Sequence, residues 1–305
     1  MNREARMNES VLWKAGGAPV SDPARMTQGR KPGSETGAPA RRRLFGCPRD
    51  PFLVANWERV FFLHYLLDPK LLRAHIPAPF ELELYHGEAC ISLVAVTMRR
   101  FRPYRHSLLA TLFRTIKEQR FLNLRTYGRW RDEPGAFFLW GWLSQPLPLP
   151  LPSSLMGLCY SFASLNYQHN ADTGQIRGSV CVSGSSARLA YAGQMTLPNQ
   201  FEPSPAGSLA EFALERYSGF FCRGKDQRVF RAWHPPWMQA QVQAAVEDVS
   251  LIETKFPWFK HARLDGANLA ANLPGVLLGR PHRICDARGR QRHPSGARSA
   301  FVEMP

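Results

Sequence analysis

The apolar residues of this chain fall in runs of strand length, and turn chemistry separates one run from the next. A short alternating or apolar run bounded by Gly, Pro, Asn or Asp is the sequence form of a β-strand. The longest runs, Ile91–Met98 and Ala136–Leu143, fall far short of the roughly 20 residues that a membrane-spanning helix needs. With 25 prolines and 23 glycines among 305 residues, long helices are disfavoured. The 44% hydrophobic content is still enough for a sizeable core.

Trp57–Tyr65 reads as a first strand. Asp68 caps a short helix, Pro69–His75, with proline at its first position, where no N–H is missed. Phe80–Tyr85 alternates apolar and acidic residues, His86-Gly87 turns the chain, and Ala89–Phe101 returns as the second arm of a hairpin. Ser107–Lys117 reads as a helical excursion. Phe121–Trp130 and Ala136–Leu143 flank a turn at Asp132-Glu133-Pro134-Gly135, and Pro146–Pro152 must be extended. Tyr160–His169 and Gln175–Val182 form a hairpin over Asn170–Gly174, continued by Ala187–Thr196. Ser208–Tyr217 is a capped helix. Arg228–His234 and Ala240–Ile252 finish the sheet, with Ala240, Val242, Ala244 and Val246 on one face. Consecutive hairpins predict antiparallel pairing, and a sheet of about ten strands curls, splits or closes. The expected fold is α+β but mostly β: a strongly curved antiparallel sheet or barrel around a central cavity, with a few short helices at its rim.

Residues 1–50 and 286–305 lack hydrophobic periodicity and are rich in Gly, Pro, Ser and Arg. They are expected to be disordered tails, the N-terminal one basic, around a single domain at 51–285. No apolar stretch follows the first residues, so a cytoplasmic location is expected. Cys47, Cys90, Cys159, Cys181, Cys222 and Cys285 lie no closer than 22 positions apart and read as reduced thiols. The nine histidines form no His-x-His or i,i+4 pair, which argues against a metal site. The even spacing of His64, His75 and His86 reads as chance. No cofactor is expected. Gly219 to Lys225 has the spacing of a phosphate-binding loop, but Asp226 replaces the magnesium-binding hydroxyl, and a predicted helix precedes the motif where a strand is required.

The net charge of +15 is unevenly spread: residues 99–131 hold ten basic groups against one acid, Glu118. The stretch Arg99–His106 interleaves arginines with Phe101 and Tyr104. It reads as a solvated loop, as a nucleic-acid or phosphate surface, or as arginines over a pocket mouth. Arg125 stands apart. In Phe121-Leu-Asn-Leu-Arg-Thr-Tyr127, period two puts Phe121, Asn123, Arg125 and Tyr127 on one face. A buried arginine there needs a partner. It is either a structural ion-pair member or a guanidinium facing a cavity, ready for a carboxylate or phosphate. His234, in Trp233-His-Pro-Pro-Trp237, is either an acid/base group or a backbone-bonded histidine in a rigid aromatic corner.

Several segments taken in order resemble a known family: Trp57…Phe61-Phe-Leu-His-Tyr65, Leu71…Ile76-Pro77, His86-Gly-Glu-Ala89, Leu122-Asn-Leu-Arg-Thr-Tyr127, Pro134-Gly-Ala-Phe-Phe138, Leu214-Glu-Arg-Tyr217 and His234-Pro-Pro-Trp237. Over residues 52–285 the chain is similar to domain-of-unknown-function family 2071, of the acetoacetate decarboxylase-like superfamily. The resemblance implies a strongly curved antiparallel barrel around a central cavity. The family pattern starts the Arg-Thr-Tyr strand with Glu, where this chain has Phe121, so a carboxylate that could face Arg125 is gone. The superfamily's decarboxylases use a Schiff-base lysine whose amine pKa is lowered. Their Gly-x-Pro-Lys stretch corresponds to Gly157-Leu-Cys-Tyr160, which implies that Tyr160 replaces the lysine. The core lysines, Lys70, Lys117, Lys225, Lys255 and Lys260, all lie in polar or turn contexts.

Two functional readings follow. In the first, the chain binds a small anionic or carbonyl-containing ligand in a central cavity through Arg125, Asn123, Tyr127, Tyr160 and His234, with or without catalysis and without Schiff-base chemistry. In the second, it is a non-enzymatic basic module that binds nucleic acid or an acidic partner through residues 99–131. The first is preferred. They differ in where the charge lies: inside a cavity, or coplanar on a surface with strong salt dependence.

Overall fold

In the computed structural model, residues 51–105, 117–145 and 159–284 are described. The first described element is a 17-residue strand, β1 (Pro51–Leu67), longer at both ends than the apolar run at its centre. Asp68 then caps helix α1 (Pro69–Arg73), its carboxylate accepting from the Lys70 N–H at 2.8 Å. Two-residue strands β2 (Glu81–Leu82) and β3 (Leu84–Tyr85) lead into β4 (Glu88–Pro103). The His86-Gly87 turn is as expected, with both residues at positive φ. The arm before it is broken at Glu83: β3 pairs β4, and β2 pairs β5 (Glu118–Trp130). The next strand is β6 (Glu133–Leu143). The expected four-residue turn is a tighter one at Arg131 and Asp132, since Glu133 and Pro134 already pair with Trp130 and Arg129.

Tyr160–His169 is not one strand. Ala163 divides it into β7 (Tyr160–Phe162), which joins β6 in parallel, and β8 (Ser164–His169), which pairs β9 (Gln175–Cys181). There follow β10 (Arg188–Met195), β11 (Glu202–Pro203) and helix α2 (Leu209–Leu214), which Ser208 caps and which ends three residues sooner than expected. The segment with phosphate-loop spacing is a hairpin, β12 (Ser218–Arg223) and β13 (Asp226–Trp233). Strand β14 (Met238–Asp248) stops short of Ile252, which lies in helix α3 (Ser250–Lys255), followed by a 3-10 turn at Pro257–His261. The sheet does not finish there. Strands β15 (Arg263–Ala270), β16 (Leu273–Gly279) and β17 (His282–Arg283) complete it. Both terminal tails, Pro146–Pro152 and all but Lys117 of Ser107–Lys117 lie outside the described residues.

Seven strands close a ring in the order β1, β4, β5, β6, β12, β13, β16 and back to β1. Every step is antiparallel except β6 to β12. A second layer runs from β1 through β15, β14, β10 and β9 to β8. Strand β1 belongs to both layers, and its pleat divides its side chains between two cores. Val60, Phe62 and Leu66 pack inside the ring with Val94, Phe121, Tyr127 and Phe230. Phe61, Leu63, Tyr65 and Leu67 pack on the opposite face with Tyr167, Tyr191, Leu251 and Phe259. The fold is thus a mostly β, closed seven-stranded barrel with extra strands and a few short helices. No helix among the described residues is long and apolar enough to cross a membrane.

Candidate functional site

Cross-strand register builds the barrel interior in rows, because directly opposed residues in an antiparallel pair share a face. One row runs His64, Ser92, Arg125 and Phe138 across β1, β4, β5 and β6. The next runs Phe62, Val94, Asn123 and Gly141. A bulge in the β5–β6 pairing, between Leu124 and Arg125, brings both Phe138 and Gly141 inward although they lie three positions apart. Gly141 leaves room that no other residue could. A Cβ there would meet the Tyr160 ring at 2.4 Å, so the tyrosine of β7 reaches the interior through the gap.

The result is a cavity in which about 100 Å³ is open to the centres of water-sized molecules. Its walls are largely apolar, including Phe62, Val94, Val96, Met98, Phe121 and Phe230. Asn123, Arg125, Tyr160 and His234 all line it. Tyr127 is not among the lining residues; it is fully buried behind Arg125. No lysine is among the described lining residues.

Arg125 finds little compensation for its charge. Its Nη2–H donates to the Ala213 carbonyl at 2.9 Å, and its Nε–H donates to the Tyr127 hydroxyl at a long 3.4 Å. The guanidinium lies 5.3 Å from the Phe62 ring centre and 5.6 Å from that of Tyr127, an arrangement that attracts a cation weakly. No carboxylate pairs with it among the described residues. Of its five N–H donors, three have no acceptor there. The expected ion pair belongs to a neighbour instead. Arg216, its side chain fully buried, donates to Glu83 at 2.6 Å.

Behind Arg125 runs a chain of buried polar groups that the sequence did not announce. The Tyr127 hydroxyl bonds Ser92 Oγ at 2.6 Å, and Ser92 bonds His64 Nδ1 at 2.7 Å. Burial, with the Arg125 charge second, depresses His64 to about 3. Burial raises the Tyr127 and Tyr160 hydroxyls above the usual phenol value. The signal for His64 was its parity with Phe62 on β1; its even spacing from His75 and His86 hid it.

His234 is held in an aromatic corner. Its Nδ1–H donates to the Pro235 carbonyl at 2.7 Å, and its ring stacks on Tyr217 at 4.8 Å and tilts against Trp237 at 4.9 Å. Burial, aided by the Arg125 charge, outweighs that carbonyl and lowers His234 to about 4. The ring is therefore neutral at pH 7 with Nε2 an acceptor. Glu215 ties the corner to α2 by accepting from the Trp237 backbone N–H at 2.9 Å and from the Tyr217 hydroxyl. Trp57, across from His234, has an indole N–H with no acceptor among the described residues.

Among its described residues the basic segment is partly neutralised. Arg99 pairs with Glu58 and Glu118, Arg120 with Glu118, and Arg129 with Glu83, while Arg125 points inward. Among the described residues, no three His, Cys, Asp or Glu side chains come together as a metal site would need.

Several solved structures share this architecture. An acetoacetate decarboxylase-like enzyme from Sphingomonas wittichii RW1 has a TM-score of 0.54 at 13% identity, covering 77% of this chain and 94% of that one. The acetoacetate decarboxylase of Legionella pneumophila subsp. pneumophila str. Philadelphia 1 has a TM-score of 0.53 at 15% identity, covering 84% and 95%. The enduracididine biosynthesis enzyme MppR complexed with pyruvate has a TM-score of 0.52 at 14% identity, covering 81% and 94%. At such identities the likeness is one of fold, and the fold is acetoacetate decarboxylase-like. The chain belongs to the family of uncharacterized conserved proteins designated domain of unknown function 2071, which matches residues 54–265. Uncharacterized protein YqjF of Bacillus subtilis (strain 168) is 30% identical over 117 residues, or 38% of this chain. The match spans about half of that relative's length, 47%.

Proposed function

We propose that this protein binds a small anionic or carbonyl-containing molecule in the barrel cavity, with Arg125 as the anchor. One observation carries the reading: a guanidinium faces an apolar cavity and, among the described residues, three of its N–H donors are unused and no carboxylate stands beside it. An uncompensated charge in such surroundings is costly, and an anionic ligand removes the cost. Arginine also matches a carboxylate geometrically, two N–H groups to two oxygens. Asn123 and Tyr160 stand on the same walls as donors for a carbonyl oxygen, and neutral His234 as an acceptor. In the neighbouring fold of MppR the bound molecule is pyruvate, a keto acid. We place this binding in the cytoplasm, among reduced thiols; the four described cysteines, Cys90, Cys159, Cys181 and Cys222, are unpaired.

The test is thermal stabilisation by pyruvate and benzoate at millimolar concentration. The native chain is expected to melt at a higher temperature with either acid, because a ligand selective for the folded state raises apparent stability. Arg125→Gln, nearly as large but uncharged, is expected to melt normally and not respond. A response that survives Arg125→Gln would move the anchor elsewhere. No response to any carboxylate in the native chain would remove the reading.

A further inference from the structure

We infer that the ligand is an amphipathic monocarboxylate: one anionic head at Arg125 and an uncharged, apolar body running along β4 and β5. The inference rests on Arg125 being the anion anchor and adds what the rest of the cavity selects.

The head has one place to go. Arg216, the second arginine at the cavity, is already joined to Glu83 at 2.6 Å and to the Phe212 carbonyl at 2.5 Å. The body has a defined track. Along β4 the inward residues after Ser92 are Val94, Val96 and Met98; along β5, leading away from Arg125, they are Asn123 and Phe121. From the level of Arg125, opposite Ser92, to that of Phe121, opposite Val96, is four residues, or about 13 Å of strand. Asn123 is the polar group on that track, next to the head. Beyond it the walls are mainly apolar, Val96, Met98, Phe101, Phe121 and Leu278, beside the rings of Trp57 and Tyr160. A second carboxylate, an ammonium or a phosphate on the far end of a ligand would face hydrocarbon and be left without solvation. An alkyl or aryl body would displace water from these walls at a gain of about fourfold in affinity per buried methylene. The site thus holds small keto acids by the head alone, more weakly than acids with a long body, and disfavours dicarboxylates by desolvation.

The experiment is calorimetric titration of the full chain with acetate, butyrate, hexanoate, octanoate, cinnamate, adipate and hexanamide. Affinity is expected to rise about tenfold or more per added two carbons from acetate to octanoate. Cinnamate should bind, and adipate should bind at least tenfold more weakly than hexanoate. Hexanamide, with the same body and no charge, should bind at least tenfold more weakly as well. Val96→Thr keeps the wall's shape and adds a hydroxyl. It should weaken octanoate severalfold and leave acetate unchanged. An affinity that is flat with chain length, or adipate binding as tightly as hexanoate, overturns the inference while Arg125-dependent binding of all the acids would leave the anchor in place. Failure of every acid to bind removes the anchor and the inference together.

Discussion

Arg125 and Arg216 share the carbonyl end of one short helix. Ala213 O accepts from Arg125 Nη2 at 2.9 Å, and Phe212 O, one residue earlier, accepts from Arg216 Nε at 2.5 Å. Carbonyls at a helix C-terminus lack intrahelical partners and carry partial negative charge. Helix α2 thus holds both guanidinia in position. Of the two, only Arg216 has a carboxylate partner among the described residues, Glu83. The two arginines differ in burden accordingly: one is a structural strut, and the other is a poised cation.

That difference is measurable as stability. Arg216→Ala strands Glu83, half shared with the exposed Arg129, and is expected to cost about 3 kcal/mol. Arg125→Ala removes a charge that no carboxylate among the described residues balances and is expected to cost about 1 kcal/mol or less. Urea denaturation of the two variants, without added carboxylate, checks this; equal costs would contradict the division of roles.

Gly141 is a second point of test. Gly141→Ala drives a methyl into the Tyr160 ring, and overpacking of that kind costs about 1–3 kcal/mol. Tyr160→Ala in the same chain removes the obstacle. The double variant should recover part of the Gly141→Ala loss, giving a favourable coupling in a double-mutant cycle. Strict additivity would mean that the ring does not occupy the glycine's space.

Three buried histidines set the acid limit. His64 is held at about 3, His169 at about 4 and His234 at about 4, all by burial, against an ordinary value of 6.5. Between the depressed and ordinary values the unfolded chain binds the protons and the folded chain does not, so stability falls as pH falls through that window. Above about pH 7 the three add no slope. From pH 6.5 downward each adds up to about 1.4 kcal/mol per pH unit. Urea midpoints should be level from pH 7 to 8 and drop steeply from 6 to 4.5. A profile flat to pH 4.5 would mean that the three rings are protonated in the fold.

The two ends of the domain are not equivalent. Residues 51–285 are proposed as the complete folding unit, and a chain of these residues should keep the full protein's thermal midpoint within a few degrees. The family match stops at residue 265. A chain ending there lacks β16, which pairs both β1 and β13 and closes the ring. It is expected to be insoluble or molten by near-ultraviolet circular dichroism and dye binding.

Amine chemistry gives a last check. Lys255 sits over the Trp140 ring at 3.3 Å, outside the cavity, and none of the described lysines lines the walls. Borohydride reduction in the presence of acetoacetate should give no adduct at Lys70, Lys117, Lys225, Lys255 or Lys260 by peptide mass mapping. A single specific adduct would restore Schiff-base chemistry to this barrel.

What sequence could and could not show follows from the range of the interactions. The inward face of strand β5 was legible, because period two is local and Phe121, Asn123 and Arg125 obey it, although the strand begins three residues earlier, at Glu118. The caps at Asp68 and Ser208 were legible for the same reason. Strands β15 and β16 were missed: Asp265-Gly266 and Pro274-Gly275 break their apolar pattern, and pairing on both edges, not propensity, holds them extended. The parallel contact of β6 with β12 joins segments more than 80 residues apart, and no hairpin rule reaches that far. The cavity shows the same division. Arg125 and Asn123 came from one strand's alternation, and His234 from its aromatic setting. The Ser92–His64 relay and the apolar track depend on register between strands, which no single segment carries.

Phe61 and Phe62 are adjacent on β1 and belong to opposite interiors. A single backbone is thus the party wall between two rooms, and neither can be rebuilt alone. Loosening the outer layer must let the barrel's wall sag at Phe62, which lies beneath the Arg125 guanidinium. Occupancy of the barrel must in turn stiffen a surface that the occupant never touches. The two layers are thus expected to melt as one event, the far sheet serving as the foundation on which the cation is held still.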